Sequence, residues 1–104
     1  MTASGFLTVS PRVDGSMAPE IAKAVDALEE HPVAYETTPM GTLLEAEDAA
    51  TLFAAAQSAH EAVDSDRVVT FLKIDDKRAT DAPMQAKVES VEEHLGREAH
   101  GGPD

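Results

Sequence analysis

The sequence predicts an α+β sandwich in which a four-stranded antiparallel sheet carries two helices on one face and is followed by a third helix. Three observations predict it. Short β-prone runs and helical apolar stripes alternate in the order β-α-β-β-α-β before the last helix, and the two middle strands are separated only by a tight turn. A length of 104 residues with 42% hydrophobic content leaves room for one domain and one modest core.

Gly5-Phe6-Leu7-Thr8-Val9-Ser10, closed by Pro11, is the first strand, with Phe6, Thr8 and Ser10 on one face and Leu7 and Val9 on the other. Asp14-Gly15-Ser16 supplies turn chemistry and an N-cap candidate. Pro19 and Glu20 suit a first helical turn, and Ile21, Val25 and Leu28 form the stripe of a helix ending near His31-Pro32. Val33 to Thr37 alternates as a second strand, and Thr38-Pro39-Met40-Gly41 turns it into a third at Thr42-Leu43-Leu44-Glu45. Glu47 and Asp48 precede an Ala-rich helix from Ala49 to Val63, striped by Leu52, Ala56, Ala59 and Val63. Arg67 to Ile74 is the most β-prone segment, and its nearly continuous apolar centre suits a central strand. Asp75 to Pro83 reads as a charged loop. Met84, Val88, Val91 and Leu95 stripe the last helix, which Gly96 can stop.

This order is that of the split βαβ, ferredoxin-like sandwich. Residues 1–95 are expected to form its single domain and 96–104 a flexible C-terminal tail. Both main helices pack on one face of such a sheet. One extra helix covers the other face only in part, so self-association as a homodimer or homotetramer is expected.

Composition narrows the functional classes. There is no Cys and no Trp, which excludes a disulfide scaffold, a thiolate metal site and a cysteine nucleophile. Met1 to Val13 carries no basic region followed by a long apolar run, and no segment approaches the roughly 20 apolar residues of a membrane span. A soluble, cytoplasmic protein is the expectation. The net charge of −12 argues against nucleic-acid and membrane partners and suits a salt-rich cytoplasm, where repulsion is screened. The charge is uneven: Arg67 to Leu95 sums to −1, and the rest of the chain to −11.

Two segments stand out as carriers of chemistry, Tyr35-Glu36-Thr37-Thr38-Pro39-Met40-Gly41-Thr42 and Thr70-Phe71-Leu72-Lys73-Ile74-Asp75-Asp76-Lys77-Arg78. With Ala59-His60-Glu61-Ala62 and Lys87-Val88-Glu89-Ser90-Val91, they resemble the small thiamine-binding protein family of ferredoxin-like fold. Its most recognisable motifs are a Y-x-x-T-P-M-G-T hairpin and a K-I-D-D/E-R strand end. The likeness runs from Gly5 to Leu95, with Lys77 inserted before Arg78 and Arg12-Val13-Asp14-Gly15-Ser16-Met17 in place of the family's Gly-Thr and Ser-rich turn.

The resemblance implies reversible, non-enzymatic binding of thiamine or its hydroxymethylpyrimidine part, with no cofactor. An aminopyrimidine offers an amino donor and ring-nitrogen acceptors, and thiamine adds a cationic thiazolium ring. Thr37, Thr38 and Thr42 would supply hydroxyls, and Tyr35 or Met40 an apolar wall beside the Gly41 turn. Asp75 or Asp76 would meet the amino group or cation, next to Lys73 and Arg78.

Each feature also has a structural explanation. Thr38-Pro39-Met40-Gly41 serves turn geometry, and Met40 equally suits an interface. Lys73, Asp75, Asp76 and Arg78 suit a salt-bridge cluster at a strand end or subunit contact. The four His, at 31, 60, 94 and 100, have no metal-ligand spacing, so no metal is expected. The rival readings are an oligomeric scaffold without ligand, and a ferredoxin-like dimeric enzyme with His60 or Asp75 as base. The second lacks a nucleophile elbow, a phosphate loop or a matched acid and base.

Overall fold

Alternation along the strands decides where the core lies. In a computed structural model describing residues 1–102, β1 spans Thr2–Pro11, and its odd-numbered residues Ala3, Leu7 and Val9 are buried beneath the helices. Its even-numbered residues, Ser4, Phe6, Thr8 and Ser10, point to the opposite, open face. The helix α1 (Ala18–Ala27) continues as a 3₁₀ turn, Leu28–Glu30. Its N-cap is Met17, and Ser16 Oγ accepts from the Ala18 N–H at 3.1 Å.

The hairpin forms as the Thr-Pro-Met-Gly turn requires. The strands β2 (Ala34–Thr38) and β3 (Gly41–Ala46) pair antiparallel, with Thr38 opposite Gly41 and only Pro39 and Met40 between. Helix α2 (Ala49–Ala62) starts on Asp48, whose carboxylate caps the Thr51 N–H at 2.9 Å. Its expected stripe is its buried face: Leu52, Ala56 and Ala59, followed by Val63, join Leu28 and Leu44 in one core. Ala at the contact positions lets the α2 backbone lie close to the sheet.

The sheet order β2-β3-β1-β4, antiparallel throughout, with α1 and α2 on one face, is the ferredoxin-like sandwich. Two expectations are corrected. β4 (Val68–Lys77) lies at a sheet edge, and β1 is one of the two inner strands. The apolar run Val68 to Ile74 combines two different faces. Val68, Leu72 and Ile74 pack against the core, whereas Val69 and Phe71 stand on the open face, 54% and 56% exposed. Asp75 to Lys77 also belong to β4, because they pair with Ser4, Ala3 and Thr2 of β1, so the loop begins only at Arg78.

The last helix, α3 (Gln85–Leu95), ends at Gly96, whose φ of +73° is the left-handed conformation that glycine adopts without strain. It buries none of its residues fully, and its stripe stays partly exposed at Val88, Val91 and Leu95. The shape follows: the chain measures 47 × 40 × 19 Å with a radius of gyration of 15.5 Å, against about 13 Å for a compact domain of this length. Of the expected tail, Pro103 and Asp104 lie outside the described residues.

Candidate functional site

On the open face, the start of α3 closes one end of the sheet. The Met84 N–H donates to the Glu45 carboxylate, and Lys87 Nζ reaches Asp75 Oδ2 at 3.2 Å. Between helix and sheet lies a cavity of about 170 Å³. The sheet contributes Ser4, Phe6, Leu43, Lys73, Asp75 and Lys77, and α3 adds Lys87 just after Met84.

Pairing builds this lining. Ser4 faces Asp75 and Phe6 faces Lys73 across the β1–β4 ladder, so alternate residues of two strands project together. Phe6 gives an aromatic wall and Leu43 an aliphatic one. Ser4 is only 7% exposed, and its hydroxyl has no hydrogen-bond partner, which is costly for a buried polar atom. The sole carboxylate in the lining, Asp75, is the one held by Lys87.

The candidate residues of the sequence divide among several places. Lys73 and Asp75 line the cavity. Asp76 points to the other face of β4, where its Oδ2 accepts from Arg78 Nε at 2.8 Å, a bond that raises the guanidinium pKa above its ordinary value. Tyr35 and Thr37 lie on the helix face and line a separate groove of about 670 Å³ beside α1, with Met17, Ile21, Val25 and Asp26. The Tyr35 hydroxyl donates to Glu29, and that bond to a carboxylate raises the phenol's pKa. Thr42 is buried, with its hydroxyl 3.3 Å from that of Thr37.

Thr38 Oγ1 donates to the Gly41 carbonyl at 2.7 Å and accepts from the Met40 N–H at 3.2 Å, so it fastens the turn, while Met40 is 80% exposed at the tip. Of the hairpin's residues, Leu43 lines the cavity itself, and Gly41 lies against the end of the Phe6 ring that forms its aromatic wall.

Sequence reasoning missed Ser4, Phe6, Leu43, Lys77 and Lys87 as site residues. A signal existed in part: Lys73, Asp75 and Lys77 have the i, i+2, i+4 spacing of one strand face, hidden by reading Asp75 to Lys77 as loop. Among the described residues, no group of three or more His, Asp or Glu side chains is arranged to hold a metal ion, and no helix is long and apolar enough to cross a membrane.

Known proteins extend this description. Residues 6–92 match the family model described as thiamine-binding protein. A UPF0045 protein of Methanothermobacter thermautotrophicus is 50% identical over 94 residues, covering 86% of this chain and 95% of the relative. A UPF0045 protein of Bacillus subtilis is 37% identical over 92 residues, covering 85% and 86%. The crystal structure of a hypothetical protein from Methanocaldococcus jannaschii superposes with a TM-score of 0.80 at 29% identity, over 88% of this chain and 97% of that one. The fold also matches that of a Thermotoga maritima protein provisionally named a thiamine biosynthesis/salvage protein, with a TM-score of 0.72 at 22% identity over 88% and 99%. With its hairpin and strand-end motifs inside the matched span, the chain belongs to the thiamine-binding protein family.

Proposed function

We propose that this protein binds thiamine, or its aminopyrimidine part, reversibly and without chemical change, in the cavity between β1, β4 and α3. The observation that carries the reading is the convergence of an aromatic wall, a buried unpartnered hydroxyl and a carboxylate at Phe6, Ser4 and Asp75 in a chain of this family. A pyrimidine ring stacks on Phe6. Its amino group donates to Asp75, and the Ser4 hydroxyl is left to donate to an acceptor on the ligand. The only carboxylate of the lining already serves Lys87, which favours holding a ligand over abstracting a proton from it.

Isothermal titration with thiamine and with hydroxymethylpyrimidine tests the proposal. Saturable heat is expected, weakened in Phe6→Ala and Asp75→Asn. Absence of heat at millimolar ligand sinks it, and full binding by both variants moves the site away from this cavity.

The same face is proposed to receive a second copy of the chain. Val69 and Phe71 of the edge strand and the Val91 and Leu95 stripe of α3 are uncovered in one chain. They lie in the stretch that sums to −1, where two copies approach with the least repulsion. Sedimentation at high salt is expected to give a dimer or tetramer, and a single species near 11 kDa would refute it.

A further inference from the structure

Three of the chain's four lysines, Lys73, Lys77 and Lys87, line this one small cavity. Against them stands one carboxylate, Asp75, engaged by Lys87 at 3.2 Å. Lys73 and Lys77 form no ion pair within 4.0 Å among the described residues. The lining thus carries +2 in a chain whose total is −12. Such a concentration of unneutralised cations, in a protein with so few, favours a ligand that carries an anionic group.

The second feature is independent of charge. The Ser4 hydroxyl is closed off from solvent and has no partner, although a hydroxyl can both donate and accept. An anionic oxygen entering the cavity would give it an acceptor. Phe6 and Leu43, by contrast, offer nothing to an anion and a flat apolar seat to a ring.

From these features we propose that the preferred ligand is a phosphate monoester of an aromatic ring, with the phosphate held by Lys73, Lys77 and the Ser4 hydroxyl and the ring against Phe6. The inference rests on the aminopyrimidine reading above and narrows it, from the free cation or alcohol to the phosphorylated form. Lysines act on phosphate as point charges, so the preference weakens as salt rises.

The test is titration of the full-length protein, at fixed ionic strength, with four probes: thiamine, thiamine monophosphate, hydroxymethylpyrimidine and its phosphate ester. Inorganic phosphate is the control. Each ester is expected to bind at least about tenfold more tightly than its parent, because paired charge-assisted bonds are added. The Lys73→Ala/Lys77→Ala double variant should erase that ratio, and Lys23→Ala on α1, outside the cavity, should leave it intact. Ser4→Ala should lower ester affinity without lowering the melting temperature, since it removes a hydroxyl that bonds nothing in the free protein.

Equal affinity for ester and parent overturns this inference and leaves the binding proposal standing, whereas silence with all four organic probes overturns both. A preference that survives in the double variant overturns the role of the lysines. Inorganic phosphate binding as tightly as the esters overturns the ring's part in recognition.

Discussion

The ring of Phe6 occupies the space that a side chain at Gly41 would need: a Cβ at residue 41 would stand 2.5 Å from Phe6 Cζ, and 2.9 Å from the Thr8 methyl. The glycine is therefore required by close approach, in addition to its place at the end of a two-residue turn. It links the hairpin motif, most of whose side chains lie elsewhere, to the aromatic wall of the cavity.

Gly41→Ala should accordingly displace the Phe6 ring and leave the fold intact, since the ring end yields more easily than backbone. We expect a loss of about 1 kcal/mol in chemical denaturation, together with several-fold weaker ligand binding. An unchanged affinity would mean that the ring orientation is irrelevant to the site.

The core makes a sharper contrast. Leu52 is fully buried, whereas Phe53, its neighbour on α2, stands 61% exposed. Leu52→Ala should cost about 2–5 kcal/mol by leaving a cavity, and Phe53→Ala less than about 0.5 kcal/mol. Urea unfolding of both variants measures the difference. A large cost at Phe53 would reveal that the outer face of α2 is covered in solution.

Two carboxylates tie stability to pH. Bonds from the Thr51 hydroxyl and N–H lower the pKa of Asp48, and bonds from Lys23 and the Asp64 N–H lower that of Glu20. A carboxylate whose folded pKa lies below its unfolded value stabilises the fold above the ordinary carboxylate range, and that contribution is lost as pH falls through the lowered pKa. Melting temperature should therefore fall between about pH 5 and pH 3. Asp48→Asn, which keeps a capping oxygen without the charge, should flatten that fall. An identical acid limb in variant and parent would exclude Asp48 as a source.

Salt should act on assembly. A charge of −12 per chain is multiplied by the number of copies, and screening is withdrawn as salt is diluted. Sedimentation should show dissociation on transfer from molar to low salt, with a falling melting temperature. Constant mass and melting temperature would count against both the charge argument and the salt-adapted reading.

Helices and hairpin were legible because their signals are local. Leu52, Ala56, Ala59 and Val63 repeat at helical spacing, and Thr-Pro-Met-Gly has few other uses than a turn. The edge position of β4 was not legible, since Val69 and Phe71 make the strand read as buried on both faces although only one is covered by this chain. The cavity was hidden for a different reason. Ser4, Leu43, Lys73 and Lys87 are scattered along the sequence and meet only through strand pairing and the return of α3, so no short motif announces them. The Tyr35 to Thr42 motif was visible as a pattern, but much of what it encodes is the turn.

The pairing of β4 with β1 runs without interruption from Val68 opposite Pro11 to Lys77 opposite Thr2. Inserting or deleting one residue within that ladder would exchange the two faces of the strand beyond it. Lys73 and Lys77 would enter the hydrocarbon interior, and Leu72 and Ile74 would emerge where the ligand and the second copy are proposed to sit. Length variation among relatives should accordingly be confined to the segments flanking β4, around Asp64 to Arg67 and Arg78 to Pro83. The strand itself acts as a fixed ruler, keeping the apolar end of the open face and its cationic end at a constant separation.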